Sequence, residues 1–126
     1  MASLDNKYSD YAILLLRLGV GYIFIVHGWG KLTGIEGTAG FFGGLGIPIP
    51  LVMAWVVAIV EFFGGIMVIV GAYTKIVNLL LAITMAVAII IQEGNFEIEL
   101  ILFLVTFSLF LTGSGNYSID HKIASR

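Results

Sequence analysis

From Leu51 to Gly71 the chain carries a single charge, Glu61, placed ten residues from either end. A stretch of that length matches the ~20 apolar residues that take a helix across a ~30 Å hydrocarbon layer. Three further apolar runs accompany it, so the sequence predicts spans at about residues 11–30, 51–71, 76–92 and 97–112. Runs such as Leu79-Leu80-Leu81-Ala82-Ile83 do not alternate in polarity, which argues against the strands of a membrane barrel. Four such spans use most of the 126 residues and leave only short loops and tails. The expected fold is an all-α integral membrane four-helix bundle, one domain over residues 1–126.

Composition supports the same reading. The chain is 60% apolar and 11% charged, with a mean hydropathy of +1.07, against roughly 45–50% and about 25% in an ordinary soluble domain. A small soluble protein cannot hide that much apolar surface. The absence of cysteine excludes a disulfide relay, a thiolate nucleophile, a cysteine-held iron–sulfur cluster or zinc, and a c-type haem attachment. A net charge of −2 argues against nucleic acid, which calls for a concentrated basic surface. Asp5, Lys7 and Asp10 stand where a signal peptide has a basic region, so the first span is expected to be retained.

Orientation is read from the basic residues. With four spans, both termini and the Tyr73–Lys75 turn share one side, which holds Lys7, Lys75, Lys122 and Arg126. The other side holds Lys31 and collects Glu36, Glu93, Glu97 and Glu99. Cytoplasmic Lys/Arg excess therefore predicts cytoplasmic termini in the cell membrane.

The longest connection, Leu32 to Pro50, is rich in glycine and ends in Pro48 and Pro50. Its middle, Thr38 to Leu45, places Phe41, Phe42 and Leu45 on one face of a short helix. Such a segment is expected to lie in the interface or to re-enter the bundle. The Gly37, Gly40, Gly43 spacing follows no strand, so it does not read as a phosphate loop.

Seven charged or titratable residues stand out. Glu61 lies at the middle of its span, where an ionised group costs ~2.5–3.5 kcal/mol on insertion scales. Arg17, six residues into the first span, is the expected partner, because the two spans are antiparallel neighbours. The pair is open to two readings: a structural ion pair that sets register, or a site that handles a proton or a polar substrate group. His27 and Lys31 are four apart and share a helix face, with Trp29 at the same level. They either contact lipid head groups or bind substrate, and the near-neutral imidazole suits a proton relay or a quinone carbonyl. Glu97 and Glu99 open the fourth span, where carboxylates complement the helix dipole; Glu97 is also placed to reach toward Lys31 and His27. His121 follows the fourth span on the opposite side from His27, so no two-histidine haem is expected within one chain. No metal site is expected either. Gly19, Gly21, Gly64, Gly65 and Gly71 are expected to permit close helix packing, and Asn78 and Thr84 to bond between helices. The tail from Gly113 to Asp120 reads as a helix stop followed by a turn.

In order and spacing, these elements resemble the DoxX family of small four-helix membrane proteins, which takes in DoxD-like subunits. The resemblance rests on Arg17-Leu18, His27-Gly28-x-x-Lys31, Gly46-Ile47-Pro48, Glu61 with Gly64-Gly65, Gly71, Glu97, and Gly113-x-Gly115-x-x-Ser118-Ile119-Asp120. Ser114 stands where the family often has proline. The resemblance implies a role beside membrane redox chemistry, as in thiosulfate:quinone oxidoreductase, with Arg17, His27, Lys31, Glu61 and Glu97 at the family's polar positions. None of these is a redox centre, so electrons would come from a substrate, a partner subunit or a bound quinone.

Three functions follow. The first is a small membrane subunit of a quinone-linked oxidoreductase, with Arg17, Glu61 and His27 as catalytic groups and Lys31, Trp29 and Glu97 binding substrate. No covalently bound cofactor is expected in it. The second is a non-catalytic structural or assembly subunit of a larger membrane enzyme. The third is a small-anion carrier. Partners would be lipid and either other redox subunits or further copies of the chain.

Overall fold

The computed structural model describes residues 2–92 and 94–124, so Glu93 and Arg126, counted above for charge, lie outside the described residues. These residues form six helices and no strand: α1 (Ala2–Thr33), α2 (Ile35–Gly44), α3 (Pro50–Val70), α4 (Thr74–Ile91), α5 (Glu97–Thr112) and α6 (Ile119–Ala124). Among them, Lys7–Thr33 of α1, α3 and α4 are long and apolar enough to cross a membrane. α5, with 16 residues, covers about 24 Å at 1.5 Å per residue. It packs along α4. The chain is an all-helical membrane bundle.

α1 and α3 form the main seam, and periodicity shows why. Arg17, Gly21, Phe24, Gly28 and Lys31 recur at spacings of four and three along α1, and Ala54, Ala58, Glu61, Gly65 and Val68 do so along α3. Each set makes one stripe on its helix, and all of these residues except Lys31, which is partly exposed, are buried. A Cβ at Gly65 would fall 2.7 Å from the Gly21 carbonyl oxygen and 2.8 Å from the Ile25 nitrogen. One at Gly28 would strike the backbone of Phe62. The helices touch backbone to backbone, as small residues allow in membranes. Gly21, Gly64 and Gly65 thus fulfil the packing role expected of them, whereas Gly19 faces open space.

The remaining core is built by α4 and α5. Val77, Leu81 and Met85 of α4 meet Leu102 and Leu109 of α5, with Val20, Phe24 and Val68 from the seam. Asn78 and Thr84 do not bond between helices. Their side chains donate to Thr74 O and Leu80 O of their own helix, because that carbonyl one turn back is always within reach.

The connection between α1 and α3 is more helical than its glycine content suggests. α2 begins at Ile35 and packs on α3 through Phe42. Ile49 then takes a left-handed conformation (φ 42°) and Pro50 starts α3, the first-turn position where a missing N–H costs nothing. At the other end of α3, Gly71 (φ 74°) closes the helix, its own N–H and that of Ala72 returning to Met67 O.

Candidate functional site

Arg17 and Glu61 are both buried, each 1% exposed, but they do not pair. The register of the seam explains it. Gly28 lies against Phe62, so Glu61 sits at the level of Gly28, eleven residues above Arg17, or about 16 Å along the helix axis. No side chain bridges that span. Glu61 instead meets Lys31, whose Nζ lies 2.7 Å from Glu61 Oε1. The expected Arg–Glu site is therefore two sites, one at the C-terminal end of α3 and one at its middle.

Lys31 and Glu61 border a cavity of about 540 Å³, well within the range of small-molecule sites. Its walls are mostly apolar and come from five helices, among them Phe41 and Phe42 of α2, Met53 and Val57 of α3, Ile83, Met85 and Ile91 of α4, and Leu102 of α5. The polar groups that converge on it are His27, Lys31, Glu61, Thr84, Gln92 and Glu99. Lys31 is one-quarter exposed while Glu61 is enclosed, so the lysine is the more accessible half of the pair. Burial of the carboxylate is tolerable because the cation is in contact.

Other expected site residues are distributed unevenly. His27 lines this cavity and also a second, shallower groove between α1 and α5, which Glu97 borders too. Glu97 is thus beside His27's groove, while Glu99, half-buried, is the carboxylate that lines the cavity. Two residues along a helix turn the face by about 200°, so only one of the two acids could point inward; this signal was present in the spacing. Trp29 is 57% exposed; it packs on Phe62 at 5.9 Å between ring centroids and does not line the cavity. His121 lies in α6, at the end of the bundle away from His27.

At that other end, Arg17 is a clasp. Its Nε donates to Val68 O (2.9 Å), Nη2 to Ile69 O (2.5 Å), and Nη1 to Ser114 O (3.1 Å) and Tyr117 O (2.7 Å). The first two acceptors are the last carbonyls of α3, the negative end of its dipole. A guanidinium is suited to this because its donors fan out in a plane. The tail from Gly113 to Asp120 is folded over this end, far more than a helix stop and a turn. Asp120 accepts from the Tyr73 and Thr74 N–H groups (2.7 and 2.8 Å), capping α4 from the far end of the chain. Asn116 bonds Asp10 and Tyr117 stacks on Tyr11. Burial pushes the Asp120 carboxyl up, but the Thr74 and Tyr73 amides and the nearby Arg17 charge outweigh it and hold it below its ordinary value. A Cβ at Gly71 would collide with Ser118. No local signal near Thr74 announces a cap 46 residues away.

These features define a small helical membrane protein with a polar clasp around Arg17 and a cavity bordered by the Lys31–Glu61 ion pair. The chain belongs to the DoxX family, whose family model matches residues 12–94. It is 42% identical over 121 residues to "Putative oxidoreductase CatD" of Bacillus subtilis (strain 168), covering 91% of this chain and 89% of the relative. It is 32% identical over 130 residues to "Inner membrane protein YqjF" of Escherichia coli (strain K12), covering 94% and 96%. A shorter match, 30% over 75 residues, joins 55% of the chain to 54% of "Inner membrane protein YphA" of the same organism. No solved structure matches.

Proposed function

We propose that this chain is the membrane subunit of an oxidoreductase and that the Lys31–Glu61 cavity holds a quinone ring. The observation that carries the reading is the cavity itself: apolar walls sized for a ring, with an ammonium, an imidazole and a carboxylate converging at one place. The name of the Bacillus relative supports an oxidoreductase setting. Charge favours a neutral ligand over an anion. The lining carries Glu61 and Glu99 against Lys31, so the anion-carrier reading has little support.

Reduction of a quinone takes two electrons and two protons, one proton for each carbonyl oxygen. With no cysteine in the sequence, a redox partner in the complex supplies the electrons. Lys31, held beside Glu61, donates a hydrogen bond to one carbonyl and stabilises the negative charge that grows there. His27, exposed on one side and facing the cavity on the other, relays the two protons from outside the bundle one after the other. Arg17 touches nothing in this site, so its role is to hold the bundle. The topology that goes with this reading has four spans, α5 being the shortest, and cytoplasmic termini on the side of Lys7, Lys75 and Lys122.

Calorimetric titration of the purified protein in mild detergent with a tail-less benzoquinone tests the reading. Saturable binding, weakened about tenfold or more by Lys31→Met, is expected. Unsaturable uptake, or equal affinity in Lys31→Met, would overturn it. Co-purification from native membranes with redox subunits but without quinone would instead support an assembly role.

A further inference from the structure

The groove between α1 and α5 has a volume of about 460 Å³ and is lined by Ile23, His27, Glu97, Ile98, Ile101 and Leu102. Three of these, His27, Ile98 and Leu102, also line the Lys31–Glu61 cavity. The two spaces therefore share a wall. Leu102 is 2% exposed and forms the floor, while Ile98 and Ile101 are each 60% exposed on the outer face of α5. Past Glu97 and Glu99 in its first turn, α5 is mostly apolar, and in the four-span topology proposed above its outer face meets hydrocarbon.

We propose that the ligand of the cavity is lipid-borne: its ring reaches the Lys31–Glu61 pair sideways from the bilayer, and its hydrocarbon tail stays in the α1/α5 groove, along Ile23, Ile98 and Ile101. The proposal rests on the quinone reading and adds the route and the tail subsite. Chemistry matches position along the groove. The apolar part faces the hydrocarbon, and His27 and Glu97 stand where the polar ring passes. Only His27, Ile98 and Leu102 stand between the groove and the ring site, and a tail attached to that ring passes between these side chains. Ile98 and Ile101 act here as specificity residues and touch no reacting atom.

The test compares two ligands in lipid nanodiscs: a benzoquinone with a polyisoprenoid tail and the same ring without one. Ile101→Trp fills the groove from its exposed edge, and Leu104→Trp, at a 53% exposed position that lines neither space, is the matched control. Ile101→Trp should weaken the tailed quinone about tenfold and leave the tail-less one unchanged. Leu104→Trp should change neither. Ile101→Ala, which keeps the fold and opens the groove, should leave the tail-less ring unchanged and shift affinity for the tailed one. An equal loss for both ligands, or unaltered tailed binding in Ile101→Trp, would overturn the tail subsite while leaving the ring site standing. A wild-type protein that binds neither ligand would overturn the quinone reading and this proposal together.

Discussion

Two buried charges on one seam are handled in opposite ways. At the end that carries both termini, Arg17 spends its donors on four carbonyls, and the tail closes over it. At the middle of α3, Glu61 has Lys31 at 2.7 Å and a cavity beside it. A charge that spends four of its five N–H donors on backbone carbonyls from two segments, with the tail folded over it, acts as a fastener. A charge balanced by a single flexible side chain next to open space can exchange that contact for another. The contrast separates architecture from chemistry more sharply than burial does, since both residues are 1% exposed.

The largest break in this comparison comes from Arg17→Met. It strips four carbonyls of their donor in a buried setting, and loss of such a charged network costs about 3–5 kcal/mol. Thermal unfolding in detergent should show a large drop in midpoint, while whatever fraction folds should still bind the tail-less quinone. A mild effect on stability would mean that water replaces the guanidinium and that the clasp is dispensable.

Next in size is the seam that holds the two ends at their distance. Gly28→Ala drives a methyl into the Phe62 backbone, which cannot step aside, so a loss of about 1–3 kcal/mol or more is expected. Gly19→Ala meets open space and should stabilise the helix by roughly 0.5–1 kcal/mol. The same unfolding assay reads both, and similar signs for the two variants would contradict the register.

Double-mutant cycles then sharpen the assignment of partners. Lys31→Met with Glu61→Gln should show a coupling of about 0.5–3 kcal/mol, because the groups touch. Arg17→Met with Glu61→Gln should be additive within about 0.5 kcal/mol, the distance expected of independent sites. The reverse pattern would restore the Arg17–Glu61 pair.

The smallest effect belongs to Asp120. Its carboxyl is held below its ordinary value in the folded chain, so its contribution is complete above the ordinary carboxylate range and is lost as pH falls through the lowered value. Asp120→Asn should cost about 0.5–2 kcal/mol at neutral pH, as loss of a cap does. The difference from wild type should narrow on acidification. A gap that stays constant with pH would show that the amides bond the asparagine equally well.

How far these features were legible depends on whether their cause is local. Hydropathy alone marks the apolar runs of α1, α3 and α4, and each turned out helical where the runs lie, with α1 extending further at both ends than residues 11–30. Glu61 and Arg17 were recognisable as buried because no stretch that apolar leaves a charge outside. His27 and Lys31 share a face by spacing and do meet at one cavity. The cap from Asp120 and the choice of Glu99 over Glu97 for the cavity depend on how helices are rotated and which segment returns where. Opposite charge and equal burial suggested the pairing of Arg17 with Glu61, and those two properties carry no information about height along the seam.

The sequence by itself therefore determined that this chain lives in a membrane, folds as helices, and keeps charge inside them, because hydropathy and periodicity act within a single turn or a single span. Only the tertiary structure decided which charge meets which. Helix register is set by backbone contact at Gly21, Gly28 and Gly65, between residues roughly forty positions apart, and a shift of a few residues there would exchange one set of partners for another.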